Sequence, residues 1–319
     1  MNAGICGLGS ALPAQVTTNE DLMATLETSD EWIVRRTGIQ ERRWLSGSET
    51  IADLTTTACL QALADAGRSA ADVDYVIVST ITADRITPGV APEVAFRIGA
   101  HSAAAYDVGA ACAGFIYALD QAAALIESGR AQLVLVCGAD AMSRIVDKSD
   151  RTTTVIFGDG VGAVLVASGD YQFGLQPFEL CSDGSLGDLL YVDNDERLIR
   201  MQGQEIYRNA VRCMAEATRT ALTRAGMTLD DVDLFVSHQA NARIIESTAR
   251  ELGLPDERVA MAISHTANTS SASVPLALAY CEREGLLHAG DRIVLAAFGA
   301  GLVWGAGVLT WKEEARVAA

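Results

Sequence analysis

Two patterns of hydrophobic residues alternate along the chain. Some segments repeat apolar residues every three to four positions, as helices do, and others are short continuous runs rich in Val, Ile and Leu. Residues 112–128 have one apolar helical face, and this helix is predicted to end near Gly129. Residues 133–137 and 293–297 are apolar throughout, which is typical of strands covered on both faces. The alternation predicts an α/β architecture with mostly parallel sheets.

The pattern of elements occurs twice. In residues 58–79 and again in residues 218–237, a helical segment is followed by a glycine, a polar turn and a strand rich in Val. The two glycines, Gly67 and Gly226, are typical of helix C-termini. They lie 159 positions apart, and the same offset relates later segments. We therefore interpret the chain as an internal duplication.

The duplication predicts two halves without a Pro- or Ser-rich linker between them. We assign residues 1–170 to the first half and residues 171–319 to the second, with the join at residues 167–176. If the halves pack together, equivalent strand-to-helix loops lie close in space. The offset of 159 places Ser271 opposite Cys112.

The composition excludes several classes of protein. Half of the 319 residues are apolar, which is too many for a disordered chain. Acidic residues outnumber basic ones by 41 to 24, giving a net charge of −17, so no nucleic-acid partner is expected. Residues 293–311 carry no charge but include four glycines. We interpret them as two buried strands and expect no insertion into a membrane.

The cysteines indicate a reducing compartment. The seven cysteines are scattered and form no C-x-x-C motif, which excludes a disulfide framework and a zinc knuckle. The four histidines are not spaced as metal ligands, so no metal site is expected. The N-terminus has no basic region typical of a signal peptide. We therefore expect a cytoplasmic protein.

One cysteine lies in a loop of small residues. Cys112 follows Gly109-Ala110-Ala111 at the start of the predicted helix. The backbone N–H groups and the dipole of a helix N-terminus favour a thiolate, so a lowered thiol pKa is expected. Small neighbours would let a substrate approach the sulfur. The alternative is a buried and inert cysteine, which is a common environment for this residue.

Two other residues are candidates for chemistry. His238 follows a predicted strand and opens the helix predicted over residues 239–245, at the strand end where open α/β sheets bind ligands. Asn268 lies in a small polar loop that the repeat offset pairs with the Cys112 loop. A capping or core role for His238 and an Asx turn for Asn268 are the alternatives. A thiol with two neutral donors suits covalent acyl chemistry and stabilisation of an enolate.

The motifs around these residues are specific as a set. Cys112 lies in GAACAGF, His238 in HQANARI and Asn268 in ANTSSASVPLAL, and the segments SDEWI, FGDG and GLVWG accompany them in order. Together they resemble the β-ketoacyl-acyl-carrier-protein synthase III family of the thiolase superfamily, over essentially the whole chain. The resemblance implies an α/β fold of the thiolase type, with five αβαβα layers built from two duplicated halves. It also implies a homodimer.

The resemblance further implies a reaction that starts fatty-acid or polyketide synthesis. Cys112 would take an acyl group from an acyl-CoA, with its own N–H and one from the turn at residues 299–301 as an oxyanion hole. Malonyl-acyl carrier protein would then lose CO₂ while His238 and Asn268 bind the enolate oxygen, and the carbanion would attack the acyl group. No cofactor is implied. The alternative is an acyltransferase of the same fold that transfers the acyl group to an alcohol or amine, a reaction that does not need the His–Asn pair.

Family positions also imply binding residues. The coenzyme A entrance would use Trp32 to stack on adenine and two arginines, Arg36 and Arg151, to pair with phosphates. The contact with the acyl carrier protein would be made by the segment that follows His238, namely Gln239, Ala240, Asn241, Ala242 and Arg243.

Two residues depart from the family pattern. Ala267 stands where members usually have glycine, and its methyl group would narrow the loop or shift Asn268 unless its φ is negative. Thr87 stands where some members have a large aromatic residue that reaches the acyl pocket of the partner subunit. The smaller side chain predicts room for a longer or branched acyl group.

Overall fold

The computed structural model describes residues 2–315. Its strands are β1 (Asn2–Ala11), β2 (Val16–Thr18), β3 (Glu41–Arg43), β4 (Tyr75–Ser79), β5 (Ala104–Val108), β6 (Leu133–Ala141), β7 (Asp159–Gly169), β8 (Glu179–Ser182), β9 (Leu190–Val192), β10 (Ile199–Met201), β11 (Leu234–Ser237), β12 (Arg292–Gly299) and β13 (Val303–Thr310). Its helices are α1 (Asn19–Met23), α2 (Asp30–Thr37), α3 (Ile51–Asp65), α4 (Val90–Ile98), α5 (Gly114–Glu127), α6 (Arg151–Thr154), α7 (Gly203–Arg224), α8 (Ala242–Leu252), α9 (Ile263–Thr266) and α10 (Ser273–Arg283).

Two mixed sheets form the frame of the protein. The first has the order β1-β7-β6-β4-β5, in which β6, β4 and β5 are parallel while β7 and β1 are antiparallel to their neighbours. The second has the order β11-β12-β13-β8, in which β11 and β12 are parallel and the other pairs antiparallel. The prediction of mostly parallel sheets is therefore wrong. The turn between β12 and β13 has only three residues, 300–302, and a parallel pair needs a much longer crossover.

The helices and sheets form five layers. Helices α5 and α10 lie between the two sheets and contact strands of both. Helices α3 and α4 cover the outer face of the first sheet, while α7 covers the second and packs on α8. The centre of the layer between the sheets is buried, and Phe115 and Leu119 from α5 share one hydrophobic cluster with Leu278 from α10. Each such side chain contributes about 1.5–3 kcal/mol by leaving water. The predicted αβαβα architecture is confirmed.

The duplication is visible in the element boundaries. Strands β4 and β11 begin at residues 75 and 234, and helices α5 and α10 begin at residues 114 and 273, so both pairs are 159 positions apart. Gly67 and Gly226 lie just after α3 and α7, with left-handed φ values of +61° and +67°. This conformation explains why glycine ends both helices.

The uncharged segment near the C-terminus is a strand pair. Residues 293–311 form most of β12 and all of β13, which pair antiparallel with Phe298 opposite Trp304. Within residues 2–315, no helix is long and apolar enough to cross a membrane.

Candidate active site

Cys112 lies in a short turn between β5 and α5. The turn is a 3₁₀ helix, Ala111–Ala113, so the cysteine precedes the α-helix by two residues. Its thiol is buried, with 8% of the residue exposed. The backbone N–H of Cys112 donates no hydrogen bond within residues 2–315. A Cβ atom placed on Gly299 would lie 2.7 Å from this nitrogen, so the glycine keeps the space in front of the N–H open.

His238 follows β11 and is held from two sides. Its backbone N–H donates to the carbonyl of Ala296 over 2.7 Å, and its Nδ1 lies 2.5 Å from Oγ of Ser273. Oγ of Ser273 also accepts the N–H of Gln239 over 3.3 Å. The Ser273 hydroxyl has no other acceptor in the part of the chain described, so we assign its proton to the bond with Nδ1. This assignment leaves the imidazole proton on Nε2.

The imidazole is neutral in this environment. Burial lowers the pKa of His238 from the usual 6.5 to about 3. The expectation that His238 opens a helix is wrong, because α8 begins at Ala242 and Asn241 caps it by accepting the N–H of Arg243 over 2.9 Å. His238 therefore lies in an irregular segment, and Ser273 orients its ring.

Asn268 is fixed so that its amide nitrogen remains available. Its backbone N–H donates to the Ile156 carbonyl, and its carbonyl accepts the N–H of Gly158, each over 3.0 Å. Its Oδ1 accepts the N–H of Ser270 over 2.9 Å, while Nδ2 has no acceptor among the described residues. The preceding Ala267 has a φ of +57°, so its backbone takes the conformation for which glycine is preferred. The asparagine thus presents N–H donors, as the imidazole does.

These three residues meet in one cavity. Cys112 from the first repeat and both His238 and Asn268 from the second line a cavity of about 1250 Å³. The arrangement combines one nucleophilic sulfur with two neutral hydrogen-bond donors. No cluster of metal-ligating side chains occurs within residues 2–315. Such a site can hold an acyl group on sulfur and bind an oxygen that becomes negatively charged.

The predicted lowering of the thiol pKa is wrong for this structure. The pKa of Cys112 is raised to about 12, chiefly by burial and also by the nearby carboxylate of Asp140, while the Ser270 hydroxyl and the backbone act in the opposite direction. The loss of hydration outweighs the favourable position ahead of α5. The resting cysteine is a thiol, and its proton must leave during attack on a substrate.

The residues predicted to bind coenzyme A surround the mouth of the cavity. Trp32 is half-buried, and the guanidinium carbons of Arg36 and Arg151 lie 4.7 Å and 5.2 Å from its ring centroid. Arg151 also donates to the Glu27 carbonyl over 2.6 Å. All three predicted residues line the cavity, and both arginines are exposed. They form a cationic and aromatic rim.

The residues predicted to contact a carrier protein differ in how exposed they are. Arg243 is exposed and donates to the Arg35 carbonyl over 2.9 Å, and it lines the cavity together with Ala240 and Asn241. Ala242 is half-buried and packs close to Gly38.

Gln239 does not fit the predicted carrier-protein contact, because its side chain is fully buried. Its amide donates to the carbonyls of Ser237 and Ala260 and accepts the N–H of Ala262. It fixes the loop and cannot touch a partner.

Two residues near the site were missed from the sequence. Ser273 orients His238, and Asp140 binds the turn that follows Asn268. Ser273 looked like an ordinary first residue of a helix. The repeat offset carried a signal for Asp140, because it pairs this carboxylate with Gly299 at the opposite turn.

The comparisons with known proteins agree with this geometry. The family 3-oxoacyl-[acyl-carrier-protein (ACP)] synthase III matches residues 106–184, and the C-terminal part of the same family matches residues 222–311. A beta-ketoacyl-[acyl-carrier-protein] synthase III from Ruegeria sp. strain TM1040 is 46% identical, over 97% of this chain and 99% of the relative.

Solved structures show the same similarity. The 3-oxoacyl-[acyl-carrier-protein] synthase III of Aquifex aeolicus superposes with a TM-score of 0.94 at 43% identity, over 97% of this chain and all of that chain. The priming beta-ketosynthase from the R1128 polyketide biosynthetic pathway superposes with a TM-score of 0.93 at 36% identity, over 98% of this chain and 97% of that chain.

Proposed function

The chain belongs to the 3-oxoacyl-[acyl-carrier-protein] synthase III family, and from this membership we propose that it is a priming condensing enzyme. It transfers an acyl group from an acyl-CoA to Cys112 and condenses that group with malonyl-acyl carrier protein. The products are 3-oxoacyl-acyl carrier protein, CoA and CO₂. The observation that carries the proposal is the meeting of Cys112, His238 and Asn268 in one cavity.

The first half-reaction is acyl transfer to sulfur. The Cys112 sulfur attacks the thioester carbonyl, and its proton leaves with the CoA thiolate, so an acyl-enzyme and CoA form. The oxygen of the tetrahedral intermediate occupies the space that Gly299 leaves open, where it accepts a hydrogen bond from the N–H of Cys112. Because burial keeps the thiol protonated, removal of its proton is part of this step.

The second half-reaction is decarboxylation followed by carbon–carbon bond formation. When the malonyl group loses CO₂, the electron pair of the broken bond moves into the thioester as an enolate. Nε2–H of His238 and Nδ2–H of Asn268 donate to the enolate oxygen. The enolate carbon attacks the acyl-enzyme, the Cys112 thiolate leaves, and it takes up a proton. The neutral imidazole suits this step because it offers an N–H without needing protonation from solvent.

The test follows each half-reaction separately. Intact-mass analysis after exposure to a panel of acyl-CoAs should show one acyl group per chain, and none in Cys112→Ala. Malonyl-acyl carrier protein should then release CO₂ and discharge the acyl-enzyme. Transfer of the acyl group to an alcohol or amine without CO₂ release would instead establish the alternative acyltransferase. Absence of any acylation would contradict both.

We propose that Trp32, Arg36 and Arg151 bind the nucleotide end of coenzyme A. Their aromatic and cationic side chains at the cavity mouth support this role. Trp32→Ala should raise the KM for the acyl-CoA about tenfold with little change in kcat. An unchanged KM would place the nucleotide elsewhere.

We propose that the surface around the start of α8 receives the carrier protein. Arg243 is an exposed cation at the cavity, with Ala240, Asn241 and Ala242 next to it. The charge of the chain as a whole is −17, so an acidic carrier needs a local basic contact. Arg243→Glu should raise the KM for malonyl-acyl carrier protein and leave Cys112 acylation by acyl-CoA unchanged. Equal losses in both would contradict the assignment.

We propose a homodimer that pairs through the edge of the first sheet. Within residues 2–315, β5 has one neighbour, β4, and its other edge is free. Tyr106 on β5 is partly exposed, and Phe96 on α4, the helix that packs on β5, is 71% exposed. An edge strand with exposed aromatic residues is a ready interface. Light scattering should give twice the chain mass, and Tyr106→Lys should shift it toward the monomer.

We also propose a cytoplasmic location and a division into residues 1–170 and 171–319. All seven cysteines are unpaired, which supports a reducing compartment. Each large sheet takes its strands from one side of the proposed division.

A further inference from the structure

A buried carboxylate lies beneath the active site without a cationic partner in the part of the chain described. Asp140, at the end of β6, accepts five hydrogen bonds. Its Oδ1 accepts the N–H of Ile81 over 2.9 Å and the hydroxyls of Thr80 and Thr82 over 3.2 and 2.8 Å. Its Oδ2 accepts the N–H and hydroxyl of Ser271 over 3.1 and 2.7 Å. The side chain thus connects the loop after β4 to the turn before α10.

The turn held by Asp140 lies between Asn268, which binds the enolate, and Ser273, which orients the second enolate-binding group, His238. Ser271 is three residues after Asn268 and two residues before Ser273, which orients the imidazole of His238. Its hydroxyl also lies 2.9 Å from the Ser79 carbonyl. A shift of this turn would therefore move the carboxamide and turn the imidazole together. The Cys112 turn belongs to the other repeat and has no hydrogen bond with Asp140.

The internal repeat shows what the carboxylate replaces. Ser271 is the counterpart of Cys112, and Asp140 is the counterpart of Gly299, each 159 positions away. Asp140 of the first repeat fills the space in front of the Ser271 turn of the second repeat and accepts its N–H. Gly299 of the second repeat leaves the equivalent space in front of the Cys112 turn of the first repeat open. The positions Ala111 and Ser270, which precede these residues, both have left-handed φ values, +44° and +53°.

We propose that Asp140 is a positioning residue for decarboxylation, and this inference rests on the proposed function. Its carboxylate takes, in front of the Ser271 turn, the place that the substrate oxygen takes in front of the Cys112 turn. The Ser271 turn is thereby held in place together with Asn268 and with Ser273, which orients His238, while the Cys112 turn is open and reactive. Asp140 touches neither substrate nor the reacting atoms.

The test separates the two half-reactions in the full-length protein. Asp140→Asn keeps an oxygen for the three donors at Oδ1 but presents its own N–H groups to the N–H of Ser271. We expect the rate at which the acetyl-enzyme decarboxylates malonyl-acyl carrier protein to fall about 10- to 100-fold, because misplacing a catalytic group by about 1 Å lowers the rate by up to about 100-fold. The KM for the carrier should be nearly unchanged. Acylation of Cys112 by acetyl-CoA should not fall more than about threefold below the wild type, because the Asp140 charge disfavours the thiolate and its removal does not weaken the nucleophile.

Two further variants complete the experiment. Asp74→Asn is the matched control, because this carboxylate accepts two backbone N–H groups at the opposite end of β6 and lies outside the cavity lining. It should change neither half-reaction. Ser271→Ala removes one of the bonds to Asp140 and should give a smaller loss in decarboxylation alone. If Asp140→Asn fails to fold, Ser271→Ala serves as the test of the positioning role.

The outcomes distinguish the two proposals. The positioning role would be overturned if folded Asp140→Asn decarboxylated malonyl-acyl carrier protein at the wild-type rate. It would also be overturned if Asp140→Asn and Ser271→Ala each lost acylation and decarboxylation equally. Wild-type protein that is acylated but releases no CO₂ from malonyl-acyl carrier protein would overturn the proposed function itself.

Discussion

The substitution Gly299→Ala tests the oxyanion site at Cys112. The added Cβ would lie 2.7 Å from N of Cys112, 3.2 Å from N of Ala113 and 3.3 Å from Cβ of Ala111. The φ of Gly299 is outside the left-handed region, so alanine can adopt this backbone and the effect comes from contact alone. Restoring an ordinary separation requires the catalytic turn or the end of β12 to move by roughly 0.7 Å, taking ~3.4 Å as normal contact.

Two losses follow from this contact. Overpacking of a buried position costs about 1–3 kcal/mol of folding stability. The methyl group also occupies the space in which the thioester oxygen would accept the N–H of Cys112. Loss of one such donor lowers the rate about 10²- to 10³-fold, which corresponds to an activation barrier raised by ~2.7–4 kcal/mol. We expect acylation of Cys112 by acyl-CoA to fall by this factor in single-turnover mass measurements.

A matched variant separates packing from catalysis. Gly305→Ala would place a Cβ 2.8 Å from Leu180 Cδ2 and 2.9 Å from the Glu179 carbonyl, in the same sheet but outside the cavity lining. It should lose similar stability in denaturant unfolding and retain acylation. If folded Gly299→Ala is acylated within about threefold of the wild type, the reasoning about the Cys112 N–H is refuted.

Three further predictions concern the imidazole and the acyl group. The pKa of about 3 for His238 lies below its unfolded value of 6.5, so the unfolded chain binds a proton that the folded protein excludes. The free energy of unfolding should therefore fall below about pH 6.5, by up to ~1.4 kcal/mol per pH unit from this residue. Denaturant titrations of His238→Asn should show a smaller slope than those of the wild type; identical slopes would contradict a neutral imidazole. Ser273→Ala should reduce decarboxylation about tenfold and spare acylation, because it releases Nδ1, and an equal loss in both half-reactions would count against orientation by Ser273. Acetyl-CoA and a medium-chain acyl-CoA should acylate Cys112 at comparable rates, with Thr87→Phe slowing the longer substrate; strict acetyl preference in the wild type would contradict the role assigned to Thr87.

Much of the fold could be predicted because duplication leaves a regular trace in the sequence. Gly67 and Gly226 mark the ends of equivalent helices, and the same offset aligned the turns that carry Cys112 and Ser271. The proportion of parallel strands could not be predicted from local pattern. Strands buried on both faces are apolar whichever direction their neighbours run, and the short turn at residues 300–302 was the only local sign of an antiparallel pair.

The site was predictable in its residues and less so in its electrostatics. Small residues around Cys112 and the strand end before His238 pointed to both side chains. The pKa of a thiol depends on everything packed around it, and burial from both repeats outweighed the effect of the helix start. Gln239 carried no sequence sign of burial, since its amide satisfies backbone groups from residues that are distant in the chain.

The central claim is that one sulfur and two donors from opposite repeats join an acyl group to a decarboxylated malonyl group. A single turnover with ¹³C-labelled acyl-CoA and malonyl-acyl carrier protein tests it directly by mass spectrometry of both proteins. We expect the label to appear on Cys112, then on the carrier as a 3-oxoacyl group, with one CO₂ released for each label transferred. Label that stays on the enzyme, or reaches the carrier without CO₂ release, would contradict the account.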